Sequence, residues 1–331
     1  MIGRFIVKTV IARRDNVYSS FPTMVEHDGD VYIYYRQAKK STYQCHGFHG
    51  KVRCLRVNKA ELLNHFAGDN YISILQPDED FCVFDGENEL DAIVCRLQDN
   101  LFTLCSRLYV KDKFAATYVS FADTPVFAGR YEVVVKGVEW LVFYGKPFRW
   151  DEGYVFPAYG VLEGRTECAS LVLYTTDFRS WALLSHIQGN GIILNENSIV
   201  YHNGRYVMFI RQDSPPYGIW YAASEDLRRW SEPVRLMKQA HAPMAIVRDN
   251  RCILSFRRLY RDDLSAVAVI LPFEDTRAVW QDDTTTDIET YQGSLFDGGY
   301  TDPVFIDDHL FVVYYMGNLC AEPYIRLARL T

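Results

Sequence analysis

The chain has 331 residues, of which 49% are apolar and 15% aromatic; 23% are charged and the formal net charge is −7. Such a chain buries enough apolar surface to offset the entropy of ordering, which excludes general disorder. The acidic balance and the lack of a basic tract argue against a nucleic-acid coat, and no apolar run reaches the roughly 18 residues of a membrane span.

In chain order, MIGRFIVKTVIARR alternates like a strand and sets Arg4, Lys8, Arg13 and Arg14 among its apolar residues. It lacks a small-residue cleavage site, so it predicts no signal peptide and a cytoplasmic protein. PTMVEHDGDVYIYYR, Pro22–Arg36, then sets an apolar stretch, a polar turn and a second strand in series. A polar loop carrying His46 and His49 follows. NKAELLNHF, Asn58–Phe66, has the spacing of two helical turns.

The hairpin unit then recurs. DAIVCRLQDNLFTLCSR ends at Arg107, YEVVVKGVEWLVFYG at Gly145, and NSIVYHNGRYVMFIR at Arg211. PMAIVRDNRCILSFR ends at Arg257 and DPVFIDDHLFVVYYM at Met316. Their turns fall at Asp28, Asp99, Gly137, Asn203, Asp249 and Asp308, about 56 residues apart on average, close to the ~40–50 residues of one four-stranded propeller blade. A lone blade leaves both faces exposed, whereas a ring of blades covers them. The prediction is an all-β, six-bladed β-propeller forming one domain over residues 1–331, with a β-sandwich as the weaker alternative. EPYIRLARL would be the third strand of the last blade and GRFIVKTVIA its fourth, closing the ring.

Thr175-x-Asp177-x-x-x-Trp181 and Ser224-x-Asp226-x-x-x-Trp230 each follow an outer strand. Their hydroxyls and carboxylates suit backbone N–H groups of tight turns, a structural role. The eight cysteines form no CxxC pair and read as buried, reduced thiols. Cys45, His46, His49 and Cys54 match none of the usual zinc frames, so neither metal nor cofactor is expected.

The repeated hairpins and these turns resemble the sialidase superfamily, six-bladed propellers with Asp-box turns. That resemblance implies a Tyr nucleophile, a Glu that takes its proton, three Arg on a substrate carboxylate, and an Asp acid. NENSIVYHNGRYVMFIR is similar to the family segment with the Glu and second Arg, which assigns Glu196 and Arg211. GGYTDPVF is similar to the segment with the nucleophile, which assigns Tyr300. Arg257 or Arg258 would be the third Arg, and Arg36 a further one facing substrate. Ser20 stands where the family has its first Arg, and the loop after Arg36 has no carboxylate. His46-x-x-x-Gly50-Lys51-Val52 is similar instead to superfamily members that are not sialidases, which puts His46 in the acid's place. Sialic acid hydrolysis in the strict sense is therefore not expected.

The residues themselves support a site. Arg36, Arg107, Arg211 and Arg257 hold one repeat position, so they lie at one depth of a ring. Guanidinium groups so placed would clamp an anion, or each would pair with a carboxylate such as Glu89, Asp91 or Asp302. His241 and Asp91 share the repeat position of Tyr300, and Asp302 lies two residues beyond it. Trp150, in FRWDEGY, could stack on a sugar. The expectation is glycoside hydrolysis of an anionic oligo- or polysaccharide in an axial pocket, without nucleic-acid or membrane partners. The alternatives are a polysaccharide lyase at that pocket, a non-catalytic carbohydrate-binding propeller, and a five-bladed furanosidase-type enzyme.

Overall fold

The structure is a computed structural model that describes residues 5–11, 17–39, 49–67, 75–86, 88–110, 113–261, 264–273, 285–292, 297–316 and 324–331. Strands dominate. They run β1 (Phe5–Ile11), β2 (Val17–His27), β3 (Asp30–Lys39), β4 (Lys51–Asn58), β5 (Glu79–Phe84), β6 (Glu89–Gln98), β7 (Leu101–Val110), β8 (Lys113–Ala122) and β9 (Tyr131–Glu132). They continue with β10 (Val138–Phe143), β11 (Phe148–Trp150), β12 (Gly153–Leu162), β13 (Cys168–Thr175), β14 (Ala182–Ile187), β15 (Leu194–His202), β16 (Arg205–Gln212), β17 (Gly218–Ser224) and β18 (Val234–Lys238). The last are β19 (Ala240–Arg248), β20 (Arg251–Arg261), β21 (Leu264–Phe273), β22 (Thr285–Gln292), β23 (Thr301–Ile306), β24 (His309–Met316) and β25 (Tyr324–Leu330). Helix α1 (Lys59–Ala67) stands near the expected place. The Asn58 side-chain oxygen caps it by accepting from the N–H of Ala60 at 3.0 Å and of Glu61 at 3.2 Å.

Six small antiparallel sheets result, in the orders β2-β3-β4-β5, β6-β7-β8-β9, β10-β12-β13-β14, β15-β16-β17-β18, β19-β20-β21-β22 and β23-β24-β25-β1. This is a six-bladed β-propeller. The period-2 alternation of each second strand feeds two cores at once. Along β24, Phe311, Val313 and Tyr315 pack toward the first blade, while Val312 and Tyr314 pack toward the fifth. Along β16, Val207 and Phe209 face the fifth blade, and Met208 and Ile210 the third. One apolar cluster thus fills each gap between neighbouring blades. The ring is fastened by the antiparallel pairing of β1 with β25, in which Phe5 faces Leu330 and Lys8 faces Leu327.

One repeat differs from its sequence reading. YEVVVKGVEWLVFYG is not a hairpin of the third blade. Tyr131 and Glu132 pair with Val119 and Tyr118 as the outer edge of the second blade. Gly137 lies in the link to β10, which begins the third. The third blade turns instead at Asp151–Glu152, between paired Trp150 and Gly153. The chain between β10 and β11 holds Lys146 and Pro147, so the first strand is interrupted and reads as a loop. In the sixth blade the turn is Asp307–Asp308, between paired Ile306 and His309. The corrected turns, Asp28, Asp99, Asp151, Asn203, Asp249 and Asp307, are more evenly spaced than the first reading. Their equivalence puts Tyr159 and Tyr315 at the repeat position that holds arginine in the other four blades.

Candidate active site

The innermost strands enclose a cavity of about 690 Å³. Local irregularity aims side chains into it. Between Leu194 and Asn197, β15 bulges against β16, so Glu196 is presented at the cavity wall. Similar shifts occur between Ser20 and Thr23 and between His241 and Met244. Phe21 (φ 50°) and Ala242 (φ 55°) take left-handed backbone in these bulges. Neither register break is announced by a glycine, although Pro22 and Pro243 suit a strand edge.

Tyr300 lies just before β23 and donates its phenolic hydrogen to Glu196 Oε1 at 2.7 Å. Arg211 spans both groups: its Nη1 is 3.1 Å from the Tyr300 oxygen and 2.8 Å from Glu196 Oε1. Its Nη2 meets Asp213 Oδ1 at 2.5 Å, and Asn195 Nδ2 donates to the other Asp213 oxygen at 3.0 Å. Burial, reinforced by Glu196, holds the Tyr300 phenol far above its usual range, against the pull of Arg211 and Arg257. A second negative charge about 4 Å from Glu196 would cost about 4 kcal/mol at an effective dielectric of ~20. The phenol therefore stays protonated until its proton can pass to Glu196. Phe21 and Tyr315 brace the ring, at centroid distances of 5.1 and 6.3 Å.

Tyr144 also lines the cavity, 6.1 Å from the Tyr300 ring. Its hydroxyl and Glu196 Oε2 are buried polar atoms without a hydrogen-bond partner. A buried polar atom left so costs free energy. Both point to a ligand that would supply partners. Trp140, Val142, Phe143 and Val161 give the cavity an apolar wall that suits the C–H face of a sugar.

The four arginines do not converge as a clamp. Arg107 and Arg211 line the cavity, but each already holds a carboxylate. Arg107 Nε meets Asp91 Oδ1 at 2.5 Å, and its Nη1 reaches the Tyr159 hydroxyl at 3.4 Å. Burial raises the Asp91 carboxyl even though Arg107 opposes the shift. Arg36 and Arg257 are fully buried and outside the lining. Arg36 Nε donates to the Glu89 carbonyl at 2.7 Å. Arg257 donates to the Gly298 carbonyl at 2.7 Å, contacts His241 Nδ1 at 3.1 Å, and lies over the Tyr300 ring. His241 supports Arg257 and does not line the cavity. Arg258 points away, toward Asp287 and the Tyr260 ring.

Asp302 is no arginine partner. It accepts from the Thr23 hydroxyl and the Met24 N–H, both at 2.8 Å, and pairs with Lys146 at 2.8 Å. It thereby ties the sixth blade to the first. Trp150 packs edge-on against Tyr174 beneath Arg228, far from the role given it by sequence; Trp140 lines the cavity instead. His49 is exposed on a left-handed residue and its N–H donates to Asn88 at 3.2 Å. His46 and Cys45 lie outside the described residues. The six described cysteines are unpaired, and burial pushes the thiols of Cys54, Cys168 and Cys252 up to about 12. Among the described residues no cluster of His, Cys, Asp and Glu could hold a metal ion.

The structure was compared with known proteins. No family model matches the chain, and no curated protein matches its sequence. A protein of unknown function from Dyadobacter fermentans has the same architecture, with a TM-score of 0.77 and 15% identity, over 98% of this chain and 99% of that one. Trypanosoma rangeli sialidase, held as a covalent intermediate with 2,3-difluorosialic acid, superimposes with a TM-score of 0.66 and 10% identity. The same sialidase in complex with sialic acid gives 0.62 at 10% identity. The fold is that of the sialidase-like propellers. The chain matches 59% of the trypanosomal enzyme's length in the covalent complex and 58% in the sialic acid complex.

Among the cavity residues that sequence reasoning missed are Tyr144, Tyr159, Asp213 and Trp140. Tyr159 was hidden by the misread third hairpin. Asp213 lies two residues past Arg211, so strand alternation could have put the two side chains on one face.

Proposed function

We propose that this chain is a glycoside hydrolase, with Tyr300 as nucleophile and Glu196 as its base. The single observation that carries the reading is the 2.7 Å hydrogen bond from Tyr300 to Glu196 with Arg211 spanning both. In the reaction the Tyr300 oxygen attacks the anomeric carbon and its proton passes to Glu196. The glycosidic C–O bond breaks, and an acid protonates the leaving oxygen. Water then attacks the same carbon and gives a proton to the conjugate base of the acid, the bond from that carbon to the Tyr300 oxygen breaks, and Glu196 returns its proton to the phenolate, with net retention. A tyrosine nucleophile is the known exception to the two-carboxylate scheme. His46 is our assignment for the acid, on its resemblance alone.

The test is turnover on a panel of aryl and natural glycosides, with products read by mass spectrometry. Tyr300→Phe and Glu196→Gln should each lower kcat by at least about a hundredfold without unfolding the protein. His46→Ala should slow natural glycosides much more than aryl ones, whose leaving groups need no proton. Turnover equal to wild type in Tyr300→Phe would overturn the reading. A product absorbing near 230 nm, roughly where unsaturated uronates absorb, would replace it with a lyase acting through the same phenol as proton carrier.

A further inference from the structure

We infer that the sugar position beside Tyr300 is built for a glycosyl group without a carboxylate, because Asp91 and Asp213 already occupy the arginine forks that would hold one. The inference rests on Tyr300 being the reacting centre.

Four observations carry it. Asp91 sits 2.5 Å from Arg107, and Asp213 2.5 Å from Arg211. The Nη1 of Arg211 is itself engaged by Glu196 and Tyr300. The other two arginines of the repeat position are buried outside the cavity, turned to main-chain carbonyls. Among the described residues, the charged groups lining the cavity are Arg107 and Arg211 against Asp91, Glu167, Glu196, Asp213 and Asp302. A ligand carboxylate entering this space would meet like charge and find no open cation, since Lys146 is held by Asp302.

The polar atoms still lacking partners fit hydroxyl groups. Glu196 Oε2 can accept from a sugar hydroxyl, and the Tyr144 hydroxyl can donate to one or accept from it. Both side chains are more than nine-tenths buried, at 4% and 6% exposure. Asp91 and Asp213 are in this sense internal carboxylates that stand where an acidic sugar would place its own.

The experiment measures affinity, separately from turnover, on the full chain. The probes are glucose with glucuronate, galactose with galacturonate, and N-acetylneuraminate, titrated calorimetrically into wild type, Asp91→Asn, Asp213→Asn and the double variant. Thermal unfolding confirms that each variant is folded, and Asp213→Asn keeps the test available if Asp91→Asn is not. Wild type should hold no acid more tightly than its uncharged counterpart. At least one folded variant should gain tenfold or more for one of the three acids. The inference falls if wild type prefers an acid and loses that preference in Arg107→Ala, or if no folded variant gains acid affinity. Failure of the catalytic reading shows elsewhere, as unchanged turnover in Tyr300→Phe, and leaves these affinities interpretable.

Discussion

Tyr144 carries a buried hydroxyl without a hydrogen-bond partner, and this makes a two-sided prediction. Removing an unsatisfied buried polar group is nearly neutral or stabilising. Tyr144→Phe should therefore keep or raise stability, by up to about 1 kcal/mol in denaturant unfolding, while weakening sugar affinity by roughly tenfold. Asp302 gives the opposite pattern. Its loss would strand Lys146 and two donors from the first blade. Breaking such a buried pair from one side costs about 3–5 kcal/mol, so Asp302→Ala should lower stability by that order. Lys146→Met made together with it should recover part of the loss. At this scale the sequence exposed the right residue types and only some of their neighbours. The repeat position singled out four arginines, because a strand's alternation survives any loop length. The sequence named Asp91 among the carboxylates an arginine could meet, and that pair forms across two neighbouring strands of one blade; Asp213, just past the end of β16, went unnamed although it shares a blade with Arg211.

The strands and turns were more legible than the site. Five of the six hairpins were placed by a polar turn between apolar runs, and the helix by its spacing. The third hairpin escaped because β10 and β11 are separate short strands around Lys146 and Pro147. The bulge that presents Glu196 has no composition of its own, so register there was unreadable. The two outer turns behave as the sequence suggested. Asp177 accepts from the N–H groups of Arg179 and Ser180 at 2.9 and 2.7 Å, and Asp226 from those of Arg228 and Arg229 at 2.9 Å. These N–H groups, Ser180 first, lower the Asp177 carboxyl to about 2 from an unfolded value of 3.8. A carboxyl lowered on folding stabilises above its unfolded pKa and loses that contribution as pH falls through the folded one. The stability gap between wild type and Asp177→Ala should therefore be full above about pH 4 and narrow toward pH 2, as followed by thermal unfolding at each pH.

Across the whole molecule, stability is shared among six inter-blade clusters, and the ring is closed by pairing β1 with β25, strands far apart in sequence. We propose that residues 1–331 act as one cooperative unit fastened there. Deleting residues 1–11 would expose the edge of β25 and take Val10 out of the cluster it shares with the first blade. Unfolding should then become broader and begin at lower denaturant, and a peptide carrying Phe5–Ile11 added in trans should restore part of the midpoint. An unchanged transition would show that the joint contributes little.

The same joint sets an order of events on the ribosome. β1 is made before every other strand of the ring, yet its hydrogen-bonding partner is made after them, because Phe5 pairs with Leu330. Until β25 is made, an alternating apolar strand must wait for its mate while the blades between them are synthesised. Blades two to five can each settle on the neighbour already made. The sixth is a rendezvous between the first-made and last-made strands of the ring, so a translation pause before β25 would prolong the interval in which β1 is open to the wrong edge.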